Sequence, residues 1–191
     1  MFNGCKSLTR APTLPAKNMT IGCYLELFKD CTSLTEAPEL PATNLVHYCY
    51  TNMFNGSGLR IAPKLPATTV PYNAYDGIFR NCVNLTKAAD LPASSIASWS
   101  YSGMYLGCTN LIDGPAINAS EFIGTSGLNA TFRDSTNLKS IIWTGSTFDS
   151  SQSPNWLGNV SATGTFYYTN PSLDVASIPR NANGIPAGWR I

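Results

Sequence analysis

Six cysteines and a single histidine are the residues of this 191-residue chain whose types support disulfide, metal or nucleophilic chemistry. The cysteines form pairs about 26 residues apart, namely Cys5 and Cys31, Cys23 and Cys49, and Cys82 and Cys108. If each pair lies in neighbouring units of a repeat, the Cα separation suits a disulfide. The same positions in other units hold Ser, Ala or Gly, and free cysteine behaves as a small buried hydrophobe. We therefore expect adjacent, buried and unbonded thiols, with disulfides as the alternative.

The sequence lacks the residue patterns that are typical of a metal centre or an active site. The chain has no Cys-x-x-Cys pattern, and His47 is the only histidine, which argues against a zinc site. His47 also lacks the partner pattern of a Ser or Cys triad, and no glycine-rich phosphate-binding loop occurs. The 11 carboxylates are scattered along the chain. We expect no enzyme activity and no cofactor.

The cysteine spacing belongs to a repeat that runs through most of the chain. An aromatic residue recurs at spacings of 25 to 27, at Phe2, Phe28, Phe54, Phe79, Tyr105 and Phe132. A leucine keeps step at Leu8, Leu34, Leu59, Leu85, Leu111 and Leu138. The sequence Ala-Pro-x-Leu-Pro-Ala closes the units at residues 11–16, 37–42 and 62–67, and more weakly at 88–93. Such a period predicts a solenoid, because one unit cannot bury its apolar face without a stacked neighbour.

Each position in the repeat predicts a local structure. Gly, Asp or Asn follows the aromatic by two residues, which indicates a tight turn. The leucine positions point inward, and short extended stretches such as residues 34–37 stack into a narrow parallel sheet. Residues 44–54 place Leu45, Cys49 and Met53 at near-helical spacing. We therefore expect one or two helical turns behind the sheet.

The whole chain is expected to form one solenoid domain. Residues 1–143 supply six repeats of about 26 residues, and residues 144–191 supply a degenerate repeat and a C-terminal cap. Met1 and Phe2 occupy the place of Met53 and Phe54, so the chain begins in mid-repeat. This favours a fragment of a longer array, and the alternative is a complete short protein.

The repeated Phe-x-Gly-Cys-x-x-Leu core with its trailing Leu-Pro resembles the leucine-rich repeats of the BspA (bacterial surface antigen A) type. The likeness covers residues 1–143 strongly and 164–175 weakly, although the unit here is longer than the family's usual unit. The resemblance implies a right-handed leucine-rich-repeat-like β/α solenoid. It also implies adhesion-like roles in surface and secreted proteins of anaerobic bacteria and in some phage-linked proteins. It supplies no catalytic residues, and a fold does not determine a function.

Charge and hydropathy restrict the partners. Twelve Lys and Arg against 11 Asp and Glu leave a net charge of +1. A nucleic-acid-binding domain is typically much more basic, so this charge does not indicate nucleic-acid binding. No apolar run approaches the roughly 18 residues of a transmembrane helix, so membrane insertion is not expected.

Two surfaces are candidates for binding a protein or glycan partner. The first is the strand face, where side chains vary around the inward alanines: Arg10, Glu36, Glu39, Arg60, Lys64, Lys87, Asp90, Asp113 and Trp143. The second is an aromatic ridge made of Tyr48, Tyr72 and Trp99. The alternatives are an ordinary solvated face and aromatics that close over the edges of the core.

These surfaces predict a cell-surface or secreted bacterial binding and adhesion module. The competing function is a structural spacer, without a ligand of its own, in a larger surface protein or a phage fibre.

Overall fold

The computed structural model describes residues 1–191 as a solenoid of stacked coils in parallel register. Its strands are β1 (Thr69–Val70), β2 (Ser95–Ala97), β3 (Asp113–Ile117), β4 (Glu121–Ile123), β5 (Ser140–Trp143), β6 (Gly164–Tyr168) and β7 (Trp189–Arg190). They form two parallel sheets, ordered β1-β2-β4 and β3-β5-β6-β7. The only helix is a 3-10 turn at Val175–Ser177. The predicted solenoid is confirmed.

The predicted narrow parallel sheet lies directly after the leucine of each unit. In the early coils it consists of single bridges, which pair Glu36 with Ile61 and Ile61 with Lys87. In the later coils it widens into the sheet that contains β3, β5, β6 and β7. The early strands stay short because a proline follows, as at Pro63, and a proline cannot donate to the next strand.

The predicted helical turns are wrong, and a different structure occupies their place. Residues 47–57 form a turn ribbon, in which every second amide closes a four-residue turn and the amides between bond to the next coil. The Cys49 amide donates to the Val46 carbonyl (3.3 Å), whereas the Tyr50 amide donates to Ala74 in the next coil (3.0 Å). A helix would instead direct each amide to the carbonyl four residues back. The same alternation recurs in residues 72–82 and 99–108.

The turn ribbon explains why its sequence resembles a helix. Every fourth residue adopts a positive φ, as at Tyr48 (61°), Asn52 (51°) and Gly56 (69°), so the backbone repeats every four residues. Side chains four residues apart, such as Cys49 and Met53, therefore face the same core. This spacing mimics the i, i+4 neighbours of a helix, although no helix forms.

The core is a ladder of equivalent side chains. Leu34, Leu59, Leu85, Leu111 and Leu138 are fully buried, and Leu8 is half-buried. These inward positions were predicted. The recurring aromatics also stack coil upon coil, with ring centroids 5.3 to 5.9 Å apart from Phe2 to Phe132. A second ladder stacks Tyr24, Tyr50, Tyr75 and Tyr101.

The side chain at the cysteine position that follows each tight turn is small, and in several coils it also donates a hydrogen bond to the preceding coil. The Cys82 thiol donates to the carbonyl of Phe54 in the preceding coil (3.0 Å), and the Cys108 thiol donates to Phe79 (3.1 Å). Ser135 makes the same bond to Tyr105 (2.7 Å). Ser and Cys therefore alternate there because both are small and both can donate to a buried carbonyl.

All six cysteines are free thiols, as predicted, but their burial is not uniform. Cys31, Cys49, Cys82 and Cys108 are buried. Cys5 and Cys23 are exposed, so the predicted burial is wrong for these two. They lie in the first coils of the stack.

Candidate binding surfaces

The strand face is positioned by the stacked leucines. The residue two places after each buried leucine points outward, and the bridges place Glu36, Ile61 and Lys87 in one column along the stack. Asp113 continues the column at the start of β3, where it accepts a hydrogen bond from the Ser140 hydroxyl (2.8 Å).

Arg60 does not lie in that column, contrary to the expected alignment. It lies one residue earlier, where its amide donates to the Thr35 carbonyl (3.2 Å). Arg60 comes one residue after its leucine, Leu59, whereas Glu36 and Lys87 come two residues after Leu34 and Leu85. The exposed apolar side chain of Ile61 therefore takes the place expected for a charge.

A second outward column lies at the proline corner, the segment with the Pro-x-Leu-Pro sequence. Spacings of 25 and 26 residues align Glu39, Lys64 and Asp90, and all three are exposed. Asp90 also accepts a hydrogen bond from the Ala116 amide (3.1 Å).

Shallow clefts run between successive proline corners. One cleft of about 470 Å³ is lined by Pro63, Pro66, Pro92, Lys64 and Lys87. Comparable clefts lie between the preceding corners, with Glu39 beside them. These clefts were not predicted, although the pair of prolines in each unit was the available signal.

The charged side chains of these two columns have no ionic partner within the protein. The three salt bridges are Lys29–Glu26, Arg80–Asp76 and Arg133–Asp134, and all of them lie on turn ribbons. The six side chains without an ion pair or a hydrogen bond on the strand face and proline corner are Arg10, Glu36, Glu39, Arg60, Lys64 and Lys87. They are therefore free to pair with a partner.

Trp143 does not belong to the strand face, contrary to expectation. It is fully buried at the end of β5, and its indole donates to the Thr147 carbonyl (3.1 Å). Phe148, Trp156 and Phe166 pack around it. The residue beside it, Ile142, points outward because side chains alternate along a strand.

The aromatic ridge is exposed on the turn-ribbon side. Tyr48, Tyr72 and Trp99 are 38%, 36% and 39% exposed. The Tyr48 and Tyr72 rings meet nearly perpendicularly, with centroids 5.4 Å apart, and His47 contacts the edge of Tyr72 at 6.0 Å. These rings cover part of the ribbon and still offer surface to solvent.

The structure also shows the surroundings of the side chains that could bind a metal ion or act as nucleophiles. No group of three or more His, Cys, Asp and Glu residues is arranged to hold a metal ion. Burial raises the pKa of the Cys49 thiol to about 11 and that of Cys82 to about 12, which makes both poor nucleophiles. Asp76 has a raised pKa because it is desolvated, although Arg80 opposes the shift. That carboxyl belongs to an ion pair with Arg80 on the ribbon.

The chain was compared with known families, curated proteins and solved structures, and nothing matches it. None of its helical segments has the length and apolarity required to cross a membrane. Since no relative was found, the two candidate surfaces are inferred from the positions and exposure of their side chains alone.

Proposed function

We propose that this protein is a cell-surface or secreted binding module that holds a protein partner on its strand face and proline corner. The observation that carries this proposal is the set of six charged side chains without an intramolecular partner. They lie beside proline clefts on a repeated scaffold.

Charges without partners suit recognition for two physical reasons. No internal salt bridge has to break when a partner binds, so the full interaction is available across the interface. Exposed charges also steer the encounter and select the orientation of a partner, more than they add affinity. Signs alternate along the proline corner, from Glu39 to Lys64 to Asp90, so the preferred partner carries a complementary pattern of both signs.

The clefts between the proline corners supply the apolar part of the same surface. Proline has little conformational freedom to lose, and the stacked coils hold the corners in place, so binding orders few groups. Ile61, which is 57% exposed between Glu36 and Lys87, adds an apolar contact at the centre of the charged column. A central apolar contact with charges around it is typical of protein interfaces.

The resemblance to BspA-type repeats supports a role at the bacterial surface. Those repeats occur in surface and secreted proteins, and a solenoid with varying side chains on a constant ladder suits adhesion. Detection of the native protein on intact cells or in the culture medium, rather than inside the cells, tests this location.

The test of binding compares two charge variants on a panel of purified extracellular-matrix proteins. The strand-face variant combines Glu39→Gln, Lys64→Gln and Lys87→Gln, and the control variant combines Glu26→Gln and Lys29→Gln on a turn ribbon. We expect the wild type and the control to bind a panel member equally, and the strand-face variant to bind it at least about tenfold more weakly. Equal binding by all three proteins would contradict the proposal. A wild type that binds no panel member would favour the structural spacer.

A further inference from the structure

Two bulky aromatic residues on the turn-ribbon surface adopt a backbone conformation that disfavours them. Tyr48 and Trp99 have φ values of 61° and 58°. Gly22, Asn73 and Ser126 occupy the equivalent place in other coils, with φ between 53° and 64°. Gly and Asn adopt this left-handed region readily, whereas a bulky side chain does so at an energetic cost. The fold therefore accommodates Tyr48 and Trp99 but has no need of them.

The core does not explain why large rings occupy these positions. Both side chains are more than one-third exposed, unlike the stacked Phe54 and Tyr75, which are buried. A strained and exposed residue points to a role outside the core, because strain persists where a function uses it.

The surroundings of the ridge define what would bind there. The residues that flank the three rings along the chain are His47, Cys49, Pro71, Asn73, Ser98 and Ser100, and none is Asp, Glu, Lys or Arg. The Asp76 carboxylate acts on Tyr72, but Arg80 pairs with it at 3.8 Å and offsets its charge. The ridge offers apolar ring faces flanked by short amide and hydroxyl side chains.

Its dimensions agree with a small rigid ligand. Tyr48 and Trp99 lie two coils apart, which is about 10 Å at the usual spacing between strands. The Tyr48 and Tyr72 rings meet at 78° and form a corner, so a flat ligand that stacks on one ring meets the edge of the other.

We propose that the aromatic ridge of Tyr48, Tyr72 and Trp99 is a binding site for a neutral glycan. A pyranose ring has an apolar C–H face that stacks on an aromatic ring, and its hydroxyl groups bond to amides and hydroxyls such as those of Asn73 and Ser98. An uncharged sugar also matches flanking residues that carry no carboxylate or cationic side chain, and an Asp76 carboxylate that is already paired with Arg80. This site is separate from the strand face and does not depend on the function proposed for that face.

The experiment uses the full chain on an array of neutral glucose-, galactose- and mannose-based oligosaccharides, with sialylated and sulfated glycans as charged comparisons. Variants Tyr48→Asn and Trp99→Asn remove one ring each and leave a residue that accepts the left-handed conformation. Two controls are Ser126→Gly, at the equivalent ribbon position, and Tyr167→Asn, which removes a 53% exposed ring from β6.

We expect the wild type and both controls to bind the same neutral glycans. Trp99→Asn and Tyr48→Asn should each bind at least about tenfold more weakly. Their thermal midpoints should stay at or above the wild-type value, so that weaker binding cannot result from unfolding. The inference is overturned if no neutral glycan binds, if only charged glycans bind, or if either ridge variant binds as tightly as the wild type.

Discussion

The backbone carbonyl of Thr32 lies where a side chain on Gly58 would project from the next coil. The Leu34 carbonyl borders the same space, at 3.2 Å from the position of a Cβ atom. Only glycine allows this approach, and it occurs where the coil is one residue shorter than its neighbour. Gly58 directly precedes Leu59, the buried leucine that places Ile61, two residues later, between Glu36 and Lys87.

Substitution of Gly58 by alanine should therefore destabilise the protein. The added methyl group would collide with backbone carbonyls, which cannot move without disturbing the stack, so we expect a loss of about 3 kcal/mol in the free energy of unfolding. Gly4→Ala is the matched control, because Gly4 has a positive φ of 73° but nothing within 4 Å of the added atom. It should cost about 1 kcal/mol. Urea unfolding measures both, and equal losses would contradict the close approach at Gly58.

Thiol labelling should separate the cysteines into two classes. Cys5 and Cys23 are exposed and should react with iodoacetamide in the folded protein at neutral pH. Cys31, Cys49, Cys82 and Cys108 are buried and should react only after unfolding, because burial disfavours the thiolate. Mass spectrometry of native and denatured samples counts the labels. Rapid labelling of Cys82 or Cys108 in the native protein would show that these thiols are accessible to solvent and not buried in the core.

Stability should decrease as the pH rises above about 9. Burial raises the pKa of Cys82 from its ordinary value of 9.0 to about 12, and that of Cys49 to about 11. Above pH 9 the unfolded chain releases thiol protons that the folded protein retains, so the pH increase favours unfolding. Each such thiol contributes a slope of about 1.4 kcal/mol per pH unit until its folded pKa is reached.

Urea midpoints at pH 7, 9 and 10.5 measure this effect. The Cys82→Ser variant is the control, because it removes one titrating group and should lose less stability between pH 9 and pH 10.5. A slope that is the same in the variant and the wild type would contradict a buried Cys82 thiol.

At the cysteine position, the hydrogen-bond donor should contribute more to the free energy of unfolding than the sulfur atom itself. In Cys108→Ser a hydroxyl replaces the thiol that donates to the Phe79 carbonyl, in the geometry that Ser135 already shows with Tyr105. We expect a loss of about 1 kcal/mol, against about 2–3 kcal/mol for Cys108→Val, which removes the donor and adds volume. Thermal unfolding of both variants decides the point, and a valine variant as stable as the serine variant would refute the donor requirement.

The sequence predicted what depends on the repeat itself. Leu34 and Leu59 recur with the period of the coil and are buried, and the aromatics from Phe2 to Phe132 stack at the same period. Any structure that stacks equal units must place equivalent residues above one another, so these positions needed no knowledge of the local backbone.

The turn ribbon was not predicted, because its signal resembles that of a helix. Side chains four residues apart share a face in both structures, as Cys49 and Met53 do here. Asn52 and Gly56 mark two of the left-handed positions, but Tyr48 occupies a third, and no turn preference predicts a tyrosine there.

The candidate surfaces were predicted only in part, because their register depends on single residues. Arg60 follows Leu59 by one residue rather than two, so it lies outside the charged column. Trp143 was assigned to the surface as the variable strand-face residue of the sixth repeat, but alternation along β5 directs it into the core and Ile142 outward. Neither effect can be read from the repeat period.

The presence of two separate binding surfaces is tested most directly by measuring three 191-residue proteins on one array. The array carries both extracellular-matrix proteins and neutral glycans. The proteins are the wild type, the strand-face variant (Glu39→Gln, Lys64→Gln and Lys87→Gln) and the ridge variant Trp99→Asn. We predict that the strand-face variant loses only protein binding and that the ridge variant loses only glycan binding. The loss of both activities in either variant, or a wild type that binds nothing on the array, would contradict two separate binding surfaces on one solenoid.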